Sequence, residues 1–510
     1  MPDKIGLRRA RWLVAGVLIV YLVLASCSAF SEYIWTNEAW FASPAFTLLH
    51  RGYLGTTILV SKGTWMAGMD RHTYWIPPVF PLAEAAWFRL FGFGLLAMRY
   101  LSIAAGALVL VAWYSIVARL AGGRAIALLS IALTAIDPRF ISFSTLGRPD
   151  TLCAALGALG WAVYLSLRER SLPRAIFAGN ALTAASCLTH PCGELYAAGL
   201  LLLVLYLDWR RMSWRACAFV AAPYALTLAA WGAYILQAPP EFMRQFFGNI
   251  GGVGTEFTGV HRLAGLSAPL TALKREYFLR YGLTSSWHAA SPADRIQLFA
   301  LFVYPMAIAG CLLTPVIRNN RGCRALLLAG SLTYATMAIV DGFKGSGYLV
   351  HTMPMACAFL AIFAYYAFSR ERAVRWGAAS VLILFVLVQG FTLVRNFEFT
   401  PQRWDYENVV AFLRNAGAEP AKVTGGGELA FAFGFNSGML DDMRLGYFSG
   451  RRTEWIAAND IYAGWLRQSA ALHPAVHEYM TRLLRDEYRV VFQNSVYTVY
   501  RLNAGSAARP

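Results

Sequence analysis

The chain has 510 residues, of which 57% are hydrophobic and only 14% charged, with a mean hydropathy of +0.46 and a formal net charge of +17. Soluble domains carry about a quarter charged residues, so this composition excludes an ordinary soluble globule and points to lipid as the main solvent. The basic residues recur in short clusters between apolar runs and form no single patch, which argues against nucleic acid as a partner.

In chain order the apolar runs fall at 12–31, 97–117, 125–146, 151–167, 175–189, 193–207, 216–236, 297–316, 325–340, 352–369 and 376–394. They are apolar on every face, as helices in lipid must be. The first follows Lys4, Arg8, Arg9 and Arg11; it is too long for a signal-peptide core and lacks a small-residue cleavage site, so it reads as a retained anchor. The runs at 175–189, 193–207 and 325–340 are short for a crossing of about twenty residues. The basic clusters are Lys4 to Arg11, Arg119/Arg124, Arg168/Arg170/Arg174, Arg210/Arg211/Arg215, Arg318/Arg321/Arg324 and Arg370/Arg372/Arg375. Even numbers of runs separate them, so all fit one side, which the positive-inside rule makes the cytoplasm. The expected fold class is an α-helical polytopic membrane protein with about eleven transmembrane helices. Its N-terminus is cytoplasmic, and everything after the last span lies outside.

This parity places a first loop (32–96), a long loop (237–296) and three tight turns on the outer face. The stretch from Val79 to Leu96 could pass for a twelfth span, but a crossing there would move every later arginine cluster outside. It is expected instead to be an amphipathic juxtamembrane helix at the interface, with Glu84 and Arg89 toward water. Beyond Arg395 charges become frequent, dividing a transmembrane domain (1–397) from a small C-terminal α/β domain (398–510). In the latter, Tyr406 to Asn415 reads as a helix, and Tyr488 to Leu502 as two strands about Gln493-Asn494-Ser495. The eight cysteines, none after Cys357, give no disulfide framework. Cys187 and Cys192 bracket His190, a pattern open to a metal or to buried thiols in helices.

The outer segments collect ionisable residues beside the membrane: Glu32, Glu38, Asp70, His72, Arg148, Asp150, His190, Glu194, Asp341, Lys344 and His351. Charges at a membrane boundary are costly, so each is a functional candidate or else a solvated or snorkelling group. An anionic lipid phosphate calls for cations, and an acceptor hydroxyl or amine attacking a sugar carbon calls for a carboxylate base. Glu38 after the first span, with Arg148-Pro149-Asp150 at the third, can supply both if the helices converge. Lys344 lies in Lys-Gly-Ser-Gly-Tyr, ending at Tyr348, where small residues either let a phosphate approach or simply make a turn. His190-Pro191 either terminates a helix or offers a ligand. Asp70 and His72, before Tyr74-Trp75, hold an acceptor or metal or form a polar rim above an aromatic belt.

The order of these features resembles the membrane-embedded C-type glycosyltransferases, similar to bacterial protein O-mannosyltransferases and lipid A aminoarabinose transferases. In that family the first outer loop opens with an Asp-Glu pair and runs into a juxtamembrane helix; here the pair is Asn37-Glu38. A Pro-Pro step, a helix ending in Phe-Gly and an Arg opening the next span are matched by Pro77-Pro78, Phe91-Gly92 and Arg99, and the acid after span three by Asp150. The match is good over about residues 12–210 and rests on layout beyond. The sequence departs in having Asn37 for the first acid and Ile76 for a lysine before Pro-Pro.

The resemblance implies transfer of a sugar from a polyprenyl-phosphate donor to a lipid, glycan or protein acceptor at the periplasmic face of a bacterial inner membrane. Glu38 and Asp150 are the expected catalytic residues, and Arg148, His190 and Lys344 the expected donor-phosphate ligands. Asn37, Asp70, His72, Tyr348 and His351 are expected near substrate or metal. The residues fix no cofactor; a divalent cation stays open, although Asn37 in place of the first acid weakens that case. The competing class, a lipid or glycan flippase without transfer chemistry, would show paired halves and mid-span charges, neither of which the sequence displays.

Overall fold

The computed structural model describes residues 5–258, 262–289, 291–398 and 401–504; Lys4 of the first basic cluster, like residues 259–261 and 290 of the long loop, lies outside them. In lipid every backbone amide needs an internal partner, so the long Leu/Ala/Val runs fold as helices. Among the described residues eight helices are long and apolar enough to cross a membrane. They are Leu7–Ser31, Leu95–Leu120, Pro149–Leu167, Trp214–Ile235, Pro292–Leu313, Arg321–Val340, Ser346–Phe368 and the helix beginning at Arg372. The run at 125–146 is a broken span, Arg124–Ala135 and Pro138–Thr145, bent by 66°. Pro138 cannot continue the first piece, and the Asp137 side chain caps the second by accepting from Phe140 N at 2.9 Å. The other Asp137 oxygen accepts from Tyr304 OH at 2.6 Å and Gln389 Nε2 at 2.8 Å. The remaining two runs are the 16-residue helices Leu172–Cys187 and Gly193–Asp208.

The chain divides into two compact units. The first comprises the N-terminal helix to Phe30, Arg99–Ala233 and Leu263–Glu398. Its core gathers Tyr21, Trp113, Trp161, Tyr196, Tyr304 and the nearly wholly buried helix Leu349–Phe368. At one end of this unit the arginine clusters meet. Arg124 donates to Ile5 O at 2.7 Å, and Arg321 to Leu207 O at 2.8 Å. Arg168 grips Asp208 through Nε at 2.6 Å and Nη2 at 2.8 Å, while Arg211 donates to Arg168 O at 3.1 Å. Gly322 lies so close to Leu120 that a Cβ would fall 2.0 Å from its carbonyl oxygen. Five of the six clusters thus converge as even spacing required.

The second unit comprises Ser31–Met98, the stretch from Tyr234 to Thr258 and residues 401–504. The C-terminal sheet has four strands, β1 (Val423–Gly425), β2 (Trp455–Ala458), β3 (Tyr488–Gln493) and β4 (Thr498–Leu502), in the order β1-β2-β4-β3. β1 and β2 are parallel, and the other pairs antiparallel. Helix Pro401–Asn415 and the β3–β4 hairpin stand where expected. Ile58 to Val60 of the first loop pair with Asp441: its N–H donates to Ile58 O at 2.8 Å, and its carbonyl accepts from Val60 N at 2.9 Å.

The helix Val79–Phe91 has 13 residues and ends at Gly92 with φ +84°, too short to span. One expectation fails here. Arg89 is exposed, but Glu84 is completely buried, on the face shared by Phe80, Pro81, Ala85 and Phe88. That face packs on helix Thr36–Arg51, with Phe41 and Phe80 edge to face at 6.0 Å. The exposed face carries apolar Leu82, Leu90 and Phe91 beside Arg89, so both faces are largely apolar and the carboxylate is turned inward.

Candidate functional site

In the first unit the tripeptide Arg148-Pro149-Asp150 forms the start of helix Pro149–Leu167, with Arg148 at the N-cap and Asp150 in the first turn. An acid there is favoured by the helix dipole. Arg148 Nε donates to Asp150 Oδ2 at 2.9 Å. The other oxygen, Oδ1, is buried, lies 4.0 Å from His190 Nε2 and has no hydrogen-bond partner among the described residues. The His190 and Tyr348 rings are 5.4 Å apart. His351 is fully buried; its Nδ1 is 3.2 Å from Tyr196 OH, and its Nε2 has no hydrogen-bond partner among the described residues. The structure therefore brings Arg148, Asp150, His190 and Tyr348 together, with His351 close by.

Lys344 is engaged differently. It is a non-glycine residue at φ +60°, and its ammonium lies 3.0 Å from Glu276 Oε2 and donates to Ala338 O. Burial holds this ammonium below its usual range, against the pull of Glu276. The small-residue turn after it lies over Arg148 instead: a Cβ on Gly347 would touch the guanidinium at 3.5 Å.

Two residues the sequence reading missed organise this turn. Arg280, fully buried, pairs with Glu276, and its Nη2 reaches Asp341 Oδ2 at 2.8 Å. Its Nη1 donates to Gly345 O at 2.7 Å, and its guanidinium lies 5.5 Å from the Tyr348 ring centre. Glu276 and Arg280 occupy a single π-helical turn of the long loop, Glu276–Arg280, an irregularity often found at functional sites. Their i,i+4 acid–base spacing was the available signal.

In the second unit Glu38 is fully buried at N3 of helix Thr36–Arg51 and accepts from Trp35 N at 3.0 Å. Asn37 Oδ1 is buried without a hydrogen-bond partner among the described residues. Asp70 is exposed, whereas His72 Nδ1 contacts Glu241 Oε2 at 3.0 Å and its ring stacks 5.6 Å from Tyr74. Two further buried acids belong to this unit. Glu428, after three glycines, accepts from Thr36 Oγ1 at 2.6 Å, Tyr497 OH at 2.8 Å and Asn459 Nδ2 at 2.9 Å. Asp441 accepts from Trp40 Nε1 at 2.9 Å, Gly427 N at 2.9 Å and Tyr462 OH at 2.8 Å. Burial pushes its carboxyl up to about 7, outweighing these bonds. Runs of glycine before Glu428 and the Asp441-Asp442 pair were visible in the sequence, but nothing there tied them to Thr36 or Trp40.

Among the described residues no three His, Cys, Asp or Glu side chains are grouped to hold a metal ion. Near His190, Cys192 N donates to His190 Nδ1 at 3.2 Å, occupying a ring nitrogen a metal would use.

The family model described as dolichyl-phosphate-mannose-protein mannosyltransferase matches residues 76–234. No curated protein matches by sequence. Among solved structures, ArnT from Cupriavidus metallidurans bound to undecaprenyl phosphate is 14% identical with a TM-score of 0.55, covering 98% of this chain and 99% of its own. The Archaeoglobus fulgidus oligosaccharyltransferase in the apo form is 10% identical with a TM-score of 0.57, covering 94% and 69%. The same organism's AglB, in complex with an inhibitory peptide and a dolichol-phosphate, is 10% identical with a TM-score of 0.56, covering 98% and 75%. The chain is a polytopic membrane protein with the fold of the membrane-embedded C-type, family 39-like glycosyltransferases.

Proposed function

We propose that this protein transfers a sugar from a polyprenyl-phosphate donor to an acceptor at the outer, periplasmic face of a bacterial inner membrane. The observation that carries the reading is the Arg148–Asp150–His190 constellation, where a buried carboxylate holds a cation at the end of a membrane helix. Such a group is poised to meet an anionic head group. Support comes from the family match over 76–234 and from a fold shared with proteins whose structures contain undecaprenyl phosphate or dolichol-phosphate.

In the simplest case the step is a single displacement with inversion. The acceptor hydroxyl or amine attacks the anomeric carbon, its proton passes to the Glu38 carboxylate, and the bond to the phosphate oxygen breaks. Arg148 takes up the charge that develops on the departing phosphate, and Asp150 keeps the guanidinium oriented. His190 and Tyr348 line the same constellation and complete the phosphate contacts. Lys344, bound to Glu276, acts by shaping the turn over Arg148.

Mass spectrometry of cell-envelope glycans, with and without the protein, tests the assignment. Loss of a glycan species on deletion, restored by the wild-type chain, supports it. An unchanged glycan inventory with altered lipid export would favour a flippase.

A further inference from the structure

In the first unit the arginine cluster Arg318/Arg321/Arg324 is built differently from the two that precede it. There carboxylates take up the charge: Asp208 accepts from Arg168 and Arg211, and Glu169 pairs with the same two arginines. Between Asp294 and Asp341, by contrast, the sequence has no acidic residue. The bonds of Arg318 and Arg324 go to neutral acceptors: Arg318 Nη1 donates to Leu312 O at 3.5 Å, and Arg324 donates to Arg318 O at 3.1 Å and to Asn319 Oδ1 at 3.4 Å. Two of these are at the long end for a hydrogen bond, and each guanidinium has five N–H groups, so both keep donors to spare. Arg321 turns elsewhere, onto Leu207 O at 2.8 Å.

Arg318 and Arg324 stand over a cleft of about 310 Å³ between the end of helix Gln297–Leu313 and the start of helix Arg321–Val340. Its walls are Leu312, Leu327 and Leu328, of which Leu312 and Leu328 are exposed. Arg324, Leu328 and Ser331 recur at i, i+4 and i+7, so one face of the helix passes from charge to hydrocarbon over roughly 10 Å. Water solvates the guanidinium groups but not the leucines, and lipid tails do the reverse. A molecule with an anion at one end and an alkyl chain at the other satisfies both.

We propose that this cleft binds one anionic phospholipid of the surrounding bilayer, with its phosphate between Arg318 and Arg324 and an acyl chain along the three leucines. Asn319, whose Oδ1 accepts from Arg324, adds amide donors to the head group. The arginine clusters gather at this end of the unit, where bilayer head groups lie, and anionic head groups attract each arginine near them. Arg324 and Val340 are roughly 24 Å apart along their helix, so the cleft is remote from the turn that follows Asp341 and covers Arg148. It therefore stands or falls independently of the proposed function.

Native mass spectrometry of the full-length protein, titrated with phosphatidylglycerol and with phosphatidylcholine, tests this site. One phosphatidylglycerol is expected to stay bound at concentrations where phosphatidylcholine does not; equal retention of the two overturns the proposal. Replacing both cations, Arg318→Gln with Arg324→Gln, should weaken the binding roughly twentyfold, about fivefold for each arginine near an anionic lipid. Arg372→Gln removes an exposed cation from another cluster and should leave the binding unchanged; an equal loss there would mean general surface charge and overturn the site. Leu328→Trp keeps both cations and fills the cleft, so it should expel the lipid too. Wild-type affinity in Leu328→Trp, or in the double variant, overturns the proposal, and the first result decides alone if the double variant fails to fold. Inorganic phosphate at matched concentration should not displace the lipid; displacement would make the cleft a simple anion site and overturn the lipid assignment.

Discussion

Arg148 and Asp150 flank Pro149 and are joined by an Nε–Oδ2 hydrogen bond of 2.9 Å, leaving Asp150 Oδ1 enclosed without a hydrogen-bond donor among the described residues. The pair is local in sequence, so it forms whatever else binds. Arg148→Ala is expected to weaken binding of a polyprenyl-phosphate sugar by tenfold or more, since a charge-assisted hydrogen bond contributes roughly 1.5–3 kcal/mol. Arg148→Lys should recover little, because an ammonium cannot offer a planar fork to Asp150 and a phosphate together. Donor titration by calorimetry in detergent checks this; unchanged affinity would make Arg148 a packing residue.

Glu38→Gln should reduce turnover by roughly a hundredfold to ten-thousandfold, the usual contribution of a general base. The amide oxygen of glutamine can still accept from Trp35 N, so helix Thr36–Arg51 keeps its cap and expression should be preserved. A wild-type transfer rate in this variant would move the base elsewhere, with Asp70 and Asp150 next in line.

Asp441 gives the second unit a pH dependence. Its carboxyl ionises near 3.8 when free and near 7 in the folded protein. Between these values the unfolded chain has lost the proton and the folded chain keeps it. Its stabilising contribution is therefore complete below pH 3.8 and is lost as the pH rises to 7, with a slope approaching about 1.4 kcal/mol per pH unit. Hydrogen exchange in residues 423–502 should report the decline between pH 5 and 7. Asp441→Asn should abolish it: its oxygen can still accept from Trp40 and Gly427, and its amide can donate to Tyr462, whose own proton can turn to Gly425 O at 3.1 Å.

The convergence of five arginine clusters at one end of the first unit makes the topology testable. A reporter fused after Asn415 should be active outside the membrane, and one placed at Gly122 inside. Cytoplasmic activity at Asn415 would remove the odd number of crossings.

The helices were legible because lipid demands long apolar runs, and all eleven appear as helical segments. The break at Asp137-Pro138 was legible too, as a cap followed by proline, yet a continuous apolar count reads straight through it. Glu84 was misread because a carboxylate on an amphipathic helix normally faces water; here both faces are largely apolar, and the inward one accepts the acid. Glu276 and Arg280 were lost in a loop of about sixty residues, where charges look solvated until Asp341 and Gly345 arrive from much later in the chain. The Arg-Pro-Asp turn stood out because its partners are two residues apart. The contacts of Thr36 with Glu428 span almost 400 residues, and no local pattern encodes them.

The backbone pairing of Ile58 and Val60 with Asp441 has a consequence for biosynthesis. The partner of that first-loop segment is made about 380 residues later. At ~5–20 residues per second, the segment waits roughly 20 to 80 s with its amides and carbonyls bare of native partners. A ribosome that stops early leaves it bare for good. That pairing cannot form before Asp441 has been made.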